Sequence, residues 1–125
     1  MNFSSNQSIY LQIADFVKEQ ILLNRWKKED KIPSVRDLAV ELQVNPNTVM
    51  RSYDLLQQQG ILYNRRGLGN YVSADAGDRI LADRKEYFKQ SELPVLFRTM
   101  LLLGVSFDEM ERLYKNYMNE NLKTK

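Results

Sequence analysis

The sequence contains no cysteine and no histidine among its 125 residues. This excludes thiol and imidazole nucleophiles, imidazole general bases and the Cys/His sites that hold zinc or iron–sulfur clusters. Carboxylates such as Asp108, Glu109 and Glu111 are interpreted as charges at a helix start and on a surface, because no catalytic base or ligand pattern surrounds them. We therefore expect no enzymatic activity, no metal and no cofactor.

Long hydrophobic runs are also missing. The most apolar stretch, Met100 to Val105, is far shorter than the ~20 residues that span a bilayer. The first ten residues lack the basic-then-apolar pattern of a signal peptide. These absences predict a cytoplasmic protein that does not enter a membrane. Apolar residues still make up 43% of the chain, which is enough for the core of one domain, with or without a small appendage.

A strong excess of positive charge is absent as well. The net charge is +2, and residues 1–73 carry nine Lys/Arg against seven Asp/Glu, whereas residues 74–125 carry nine of each. Total charge therefore does not indicate a nucleic-acid partner. Local placement is more informative, because Arg65 and Arg66 stand together without an acidic neighbour.

The stretch from Lys31 to Arg51, KIPSVRDLAVELQVNPNTVMR, predicts two short helices joined by a tight turn. Ser34 is a helix N-cap with Asp37 three residues later, a weaker form of the capping box. Asn45 caps the second helix, and Pro46 occupies its first position, where a missing N–H costs nothing. The first helix has one apolar stripe, made of Val35, Leu38, Ala39 and Leu42.

Further helices and a hairpin are predicted around this pair. A helix from Ser8 to Trp26 precedes it, with a polar connector at Lys27–Lys31. In the helix, Gln12 is assigned to the polar face, and the apolar stripe consists of Ile9, Ile13, Phe16, Val17 and Ile21. The helix that starts at Pro46 runs to about Gln59 and stops at Gly60, a good C′ residue.

After Gly60 the pattern becomes β-prone. The segments Ile61–Arg65 and Asn70–Ser73 flank an Arg-Gly-Leu-Gly tip, which predicts a β-hairpin. Three helices followed by a hairpin make a winged helix-turn-helix. The fold class is therefore mainly α with a small β-hairpin, and we assign residues 1–73 to a DNA-binding domain.

Residues 74–125 are predicted to be helical. An amphipathic segment from about Asp75 to Gln90 carries Ile80, Tyr87 and Phe88, and an apolar segment follows at Leu93–Leu103. Pro94 either kinks one long helix, which we favour, or starts a new one. Gly104 ends this helix, and Ser106 with Glu109 forms a capping box for a last helix to about Asn121.

The order of motifs resembles the GntR family of bacterial transcription regulators. The motifs are IPSVRDLA, V-N-P-N-T-V, Y-x-x-L-x-x-x-G-I-L and R-x-G-x-G-x-x-V, and they keep their mutual spacing from about Ile9 to Val72. The matching residues are Ile32, Pro33, Ser34, Arg36, Leu38, Ala39, Val44, Thr48, Val49, Leu56, Gly60, Ile61, Leu62, Gly67, Gly69 and Val72. The short helical tail resembles the YtrA subfamily, whose members dimerise through two C-terminal helices and lack a separate ligand domain.

One departure changes what the resemblance implies. Many members of the wider family have arginine in the recognition helix where this chain has Pro46 and Met50, so a base-reading arginine is not transferred to either position. The pattern found here is similar to the YtrA and MocR branches of the family.

Helical geometry identifies the candidate base-contacting residues. If Val49 faces the core, Asn47 and Arg51 point the opposite way at about 100° per residue. A recognition helix uses its N-terminal residues on base edges. We therefore expect contacts from Asn47, Thr48 and Arg51, with Met50 against a thymine methyl group. The alternative is that Arg51 is a surface arginine paired with Asp54.

Candidate phosphate contacts lie outside this helix. The resemblance implies a DNA contact for Arg36, whose alternative is an ion pair with Asp37 or Glu41. Ser34 is a cap and a candidate phosphate donor. At the wing, Arg65, Arg66 and Gly67 could follow the phosphates or enter a narrow minor groove, or they could be a solvated hairpin tip. Three tyrosines are assigned to packing, because a duplex hides its base faces: Tyr53, Tyr63 and Tyr71.

The apolar tail predicts a homodimer. Its exposed leucines would otherwise form an unusually large apolar patch, although the tail could instead fold back on its own winged helix. The predicted interface residues are Leu93, Leu96, Phe97, Met100, Leu101 and Leu103. A C2 dimer implies a two-fold symmetric operator in double-stranded DNA. The tail leaves little room for a deep effector pocket, although a groove at the dimer seam could accept a small molecule.

The resemblance to the YtrA subfamily implies a repressor of a transport operon. The alternative function is a winged-helix interaction module without specific DNA binding, which the low net charge and the Pro46 and Met50 departures would support.

Overall fold

The computed structural model describes residues 3–4 and 6–122, in two compact units, Met1–Asp83 and Arg84–Lys125. Its fold is mainly helical with one two-stranded antiparallel hairpin, which confirms the predicted class. In the described part of the chain, no helix is both long and apolar enough to cross a membrane. The elements are α1 (Ile9–Leu22), α2 (Val35–Leu42), α3 (Pro46–Gln58), β1 (Leu62–Arg65), β2 (Gly69–Val72), α4 (Ala76–Tyr87), a π-helical turn (Phe88–Glu92), α5 (Leu93–Leu103) and α6 (Phe107–Leu122).

Helix α1 ends at Leu22, so the predicted extension to Trp26 is wrong. Asn24 takes the left-handed conformation at φ 60°. The N–H of Arg25 donates to the Gln20 carbonyl over 3.0 Å, and the N–H of Asn24 donates to the Ile21 carbonyl over 3.0 Å. These two bonds form a Schellman motif, in which asparagine replaces the usual glycine. The helix therefore stops where Asn24 can turn the chain.

Trp26 lies outside α1, but its side chain packs against a residue of that helix. Its ring packs edge-to-face on Phe16, with the ring centroids 6.2 Å apart. Both side chains are half-buried against the core of the first unit. The contact fixes the loop that follows α1.

Two assignments on α1 need correction. Gln12 is buried, although its position predicted the polar face. Its amide nitrogen donates to the carbonyls of Ser4 and Gln7, and its amide oxygen accepts from the Ser4 N–H. A neutral amide satisfied in this way can be buried at little cost. Ile9 is 47% exposed, because the first residue of the helix lies at the edge of the core.

The helix-turn-helix forms as predicted. The Ser34 hydroxyl accepts from the Asp37 N–H over 3.0 Å, and the Asn45 side chain accepts from the Asn47 N–H over 2.8 Å. Gln43 turns the chain between α2 and α3 at φ 57°. Helix α3 ends within one residue of its predicted end, and Gly60 follows at φ 75°.

A third segment pairs with the hairpin of the wing, and the sequence pattern did not predict this pairing. In the hairpin, Leu62 pairs with Val72 and Arg65 with Gly69. The supposed connector before α2 runs along β2: the Glu29 N–H donates to the Val72 carbonyl over 2.7 Å, and the Val72 N–H donates to the Asp30 carbonyl over 3.0 Å. The wing is therefore attached by main-chain bonds to the loop between α1 and α2.

The core of the first unit extends past the hairpin. It is formed by α1, α2, α3 and the wing, and Ala76 and Ile80 from α4 are buried in it. The boundary between the compact units falls inside α4, after Asp83. The first turns of α4 thus belong to the unit that carries the helix-turn-helix.

Helical structure continues from α4 through the π-helical turn into α5. In this turn the Leu93 N–H donates to the Phe88 carbonyl, five residues earlier. Pro94 has no N–H to donate to Gln90, and its ring crowds that carbonyl, which explains the wider turn. The proline therefore widens the helix instead of ending it.

The tail has few packed positions. Tyr87 and Phe88, predicted as the apolar face of a helix with Ile80, are 63% and 45% exposed. Gly104 closes α5 at φ 71°, and the Ser106 hydroxyl accepts from the Glu109 N–H over 3.2 Å at the start of α6, as predicted.

Candidate DNA-binding surface and tail groove

Helix α3 presents two different faces. Its buried side is formed by Val49, Ser52, Tyr53 and Leu56. Asn47, Met50 and Arg51 are exposed, and Thr48 is half-buried. The orientation predicted from helical geometry is therefore confirmed. Three polar side chains and one apolar side chain on the first two turns are therefore available to a partner.

Arg51 is held by an aromatic ring. Its guanidinium carbon lies 3.8 Å from the centroid of the Tyr10 ring, close enough for a cation–π contact. The alternative ion pair with Asp54 does not form; in the described part of the chain the ion pairs are Arg79–Asp75 and Lys115–Glu111. Arg51 therefore forms no ion pair with a described residue.

A shallow notch joins the start of α1 to the start of α3. It has a volume of about 400 Å³ and is lined by Ser8, Ile9, Tyr10, Asn47, Thr48 and Arg51. Three of the four predicted base-contacting residues thus share one surface recess. Met50 lies beside them on the same helix but does not line the notch.

The start of α2 contributes Ser34 and Arg36. Ser34 is exposed, and its hydroxyl oxygen is used as the helix cap. Arg36 is exposed, and neither Asp37 nor Glu41 forms an ion pair with it. Its guanidinium group is therefore free to meet an anionic partner.

Two tyrosine rings stack on the hairpin of the wing. The rings of Tyr63 and Tyr71 stack with centroids 5.6 Å apart, and the Arg65 guanidinium lies 4.7 Å from the Tyr71 ring. The Tyr63 hydroxyl donates to the Glu29 carboxylate over 2.7 Å. This hydrogen bond is the main reason why the pKa of Tyr63 is raised. The predicted packing role of both tyrosines is confirmed.

The tip of the wing is a tight turn. The Leu68 N–H donates to the Arg65 carbonyl over 2.9 Å, and Gly67 adopts φ 77°. A Cβ at Gly67 would meet no atom within 4 Å, so this side of the tip is open. Arg66 and Leu68 are exposed beside it. A glycine in this conformation lets another backbone approach closely.

The tail unit presents a separate apolar surface. No residue of α5 or α6 is buried, and Leu101 and Leu103 are 83% and 73% exposed. A groove of about 250 Å³ runs between the two helices and is almost entirely apolar. It is lined by Leu96, Phe97, Met100, Phe107, Met110, Glu111 and Tyr114. Of the other predicted interface residues, Leu93 is half-buried.

Sequence reasoning missed several contributors to these surfaces. Tyr10 was not singled out, because its contact with Arg51 joins residues far apart in the chain. Glu29 was assigned to a connector. The sequence pattern predicts Phe107 and Tyr114 only as part of a last helix, although the spacing of Phe107, Met110 and Tyr114 at i, i+3 and i+7 indicates one apolar face of α6.

Comparison with known proteins identifies the family. Residues 9–72 match the GntR family of bacterial regulatory proteins. YhcF of Bacillus subtilis, an uncharacterized HTH-type transcriptional regulator, is 35% identical over 108 residues, which cover 86% of this chain and 88% of YhcF. The HTH-type transcriptional repressor YtrA of the same organism is 36% identical over 111 residues, covering 89% of this chain and 82% of YtrA.

Solved structures extend the similarity across both units. A crystal structure of a GntR-family protein from Bacteroides thetaiotaomicron has a TM-score of 0.82 and 44% identity, and the match covers 91% of this chain and 99% of that one. The similarity thus includes the helical tail as well as the winged helix-turn-helix. The chain belongs to the GntR family of bacterial regulatory proteins.

Proposed function

We propose that this protein is a homodimeric transcriptional repressor that binds a two-fold symmetric operator through α3 and the wing. Membership of the GntR family supports DNA binding and transcriptional regulation. The name of its relative YtrA, a transcriptional repressor, supports repression as the direction of control. The observation that carries the proposal is the exposed first half of α3, where Asn47 and Arg51 lie one turn apart and Arg51 forms no ion pair with a described residue.

The chemistry of these side chains matches the edges of bases. Arginine can bind the O6 and N7 atoms of guanine with two hydrogen bonds, and asparagine can bind N6 and N7 of adenine. Met50, 49% exposed on the same helix, offers an apolar contact to a thymine methyl group. We assign base contacts to Asn47, Thr48, Met50 and Arg51.

Phosphate contacts are assigned to the flanking elements. Arg36 and Ser34 lie at the start of α2, where main-chain N–H groups and the helix dipole also favour an anion. Arg65, Arg66 and Gly67 form the wing contact. These groups fix the position of the protein on the duplex, whereas α3 supplies sequence preference.

Dimerisation is assigned to the tail. Side chains as apolar as Leu101 and Leu103 rarely remain exposed together on a monomer. A C2 interface brings two winged helices to two half-sites, so the operator should have the same symmetry. The interface includes the residues predicted on α5, and the groove adds Phe107, Met110 and Tyr114 from α6.

The test begins by selecting duplexes from a random-sequence pool on the full-length protein. Binding of the selected duplex and of a shuffled duplex of the same composition is then measured at several salt concentrations, and sedimentation gives the stoichiometry. We expect an inverted repeat bound by two protomers. The slope of log K against log salt should be about −0.9 for each phosphate contacted.

Three results would contradict the proposal. Equal affinity for selected and shuffled duplexes would rule out sequence-specific binding, and a salt-independent affinity would rule out the assigned phosphate contacts. No binding at low salt would favour the interaction module without DNA binding. For repression itself, a reporter gene under the selected operator should be more active in cells that lack the protein than in cells that express it.

A further inference from the structure

Tyr10 lies outside the helix-turn-helix but contacts one of its exposed arginines, Arg51. It is the second residue of α1, and its ring supports the Arg51 guanidinium at 3.8 Å. This distance is well inside the limit of about 6 Å for a cation–π contact, and arginine stacks on aromatic faces better than lysine does. The contact therefore restrains the guanidinium group over the ring.

Stacking occupies the face of the guanidinium but not its edge. The five N–H donors of arginine lie in the plane of the group, so they remain available when a ring covers one side. A stacked arginine loses rotamer freedom before DNA arrives instead of during binding. Arg51 is thus restrained by the ring at the notch that also contains Asn47 and Thr48.

Tyr10 is itself fixed against α3. The Ser52 hydroxyl, adjacent to Arg51 in sequence, donates to the main-chain carbonyl of Tyr10 over 2.6 Å. Ser52 is completely buried, so water does not compete for this bond. One side of the stack is therefore anchored to the same helix that carries the arginine.

We infer that Tyr10 is a positioning residue that orients Arg51 for sequence readout, an inference that rests on the proposed role of α3 in DNA binding. Tyr10 acts through Arg51, and its effect should appear in discrimination between sequences more than in total affinity. The contribution comes from the aromatic face, so the hydroxyl group of Tyr10 should not be needed.

The test compares Tyr10→Phe and Tyr10→Leu with the wild-type protein, each with and without Arg51→Ala. The probes are the selected duplex and the shuffled duplex described above. Phenylalanine keeps the ring and should leave both affinities unchanged. Leucine should weaken binding to the selected duplex by about two- to five-fold, as expected for an exposed cation–π contact, and leave the shuffled duplex unaffected.

The Arg51→Ala background separates positioning from a general structural effect. There, Tyr10→Leu should cause no further loss, because the group it orients has gone. A loss of the same size in both backgrounds, or unchanged binding by Tyr10→Leu in the wild-type background, overturns the inference. No preference of the wild-type protein for the selected duplex overturns the proposed function and this inference with it. Weaker binding of Arg51→Ala to the selected duplex, combined with no effect of Tyr10→Leu, overturns the inference alone.

Discussion

Tyr53 occupies the core of the first unit although it carries a hydroxyl group. The side chain is 1% exposed, and its hydroxyl donates to the Pro33 carbonyl over 2.7 Å. Burial, followed by the nearby carboxylates of Glu41 and Asp37, raises the pKa of Tyr53 above its ordinary value of 10.0. The hydrogen bond ties α3 to the segment that leads into α2. Its strength depends on the phenol staying protonated.

This side chain should make the protein sensitive to alkali. The unfolded phenol loses its proton near pH 10, whereas the folded one retains it, so stability present below pH 10 is lost as the pH rises toward the raised pKa. We expect the free energy of unfolding to fall above pH 10 in the wild-type protein and to fall less steeply in Tyr53→Phe. Urea unfolding at pH 8, 10 and 11 measures both slopes.

The substitution also removes a buried hydrogen bond, so Tyr53→Phe should be less stable at pH 8 by about 1–3 kcal/mol. Tyr117→Phe, on an exposed residue of α6 that does not line the tail groove, is the matched control and should follow the wild-type profile. Parallel pH profiles for the wild-type protein and Tyr53→Phe would contradict the assignment.

Arg66 at the wing tip should behave as a phosphate contact. Replacing it by alanine should weaken binding to selected and shuffled duplexes by the same factor and reduce the salt slope by about one contact. Arg112→Ala, which removes the same charge from α6, should change neither quantity. A loss confined to the selected duplex would instead mean that Arg66 reads sequence, for example through the width of the minor groove.

The elements of this fold differ in how well their ends can be read from sequence. The caps at Ser34 and Asn45 depend on bonds within three residues, and both were predicted correctly. The end of α1 depends on Asn24, a weaker version of a glycine signal, and was missed. The edge pairing of Glu29 and Asp30 with Val72 was also missed, because it joins segments far apart in sequence.

The two roles assigned to Ser34 can be separated by substitution. Ser34→Ala removes the cap and should destabilise the protein by about 1 kcal/mol, whereas Ser34→Asp preserves it and should retain stability. If Ser34 also faces phosphate, Ser34→Asp should bind every duplex much more weakly, since it places a negative charge there. Thermal unfolding and duplex titration of both variants supply the two readouts.

Ser106→Asp provides the comparison for this pair, because it gives the cap of α6 the same charge on an element without an assigned DNA contact, and it should bind DNA like the wild-type protein. Ser34→Asp that binds DNA like the wild-type protein would leave Ser34 with the capping role only.

Structural features that depend on local sequence patterns could be predicted, whereas contacts between residues far apart in the chain could not. Helical geometry placed Asn47 and Arg51 on the exposed face of α3 and Val49 in the core, and the structure agrees. Helical geometry could not predict the contact of Tyr10 with Arg51, since no spacing rule relates α1 to α3. In the tail, the apolar pattern indicated α5, but the groove also requires α6, whose side chains are a mixture of aromatic and polar residues.

Charges placed in the tail surface should separate the protomers. The double variant Leu96→Asp and Leu101→Asp should sediment as a monomer, because two carboxylates per chain would have to be buried in the interface. Its far-UV circular dichroism should remain helical. Affinity for an inverted repeat should fall, while affinity for a single half-site should change little.

The matched control adds the same charge to a polar part of the tail. The double variant Asn116→Asp and Asn119→Asp lies on exposed positions of α6 and should remain dimeric. A dimer that persists with both leucines replaced would place the interface elsewhere on the molecule.

The edge-to-face contact of Trp26 with Phe16 has a practical consequence for spectroscopy. The chain contains one tryptophan, and it belongs to the unit with the helix-turn-helix. Tryptophan emission therefore follows the melting of that unit alone, without added label. Far-UV circular dichroism follows the helices of both units, so a difference between the two melting curves would reveal that the tail and the winged helix-turn-helix unfold separately.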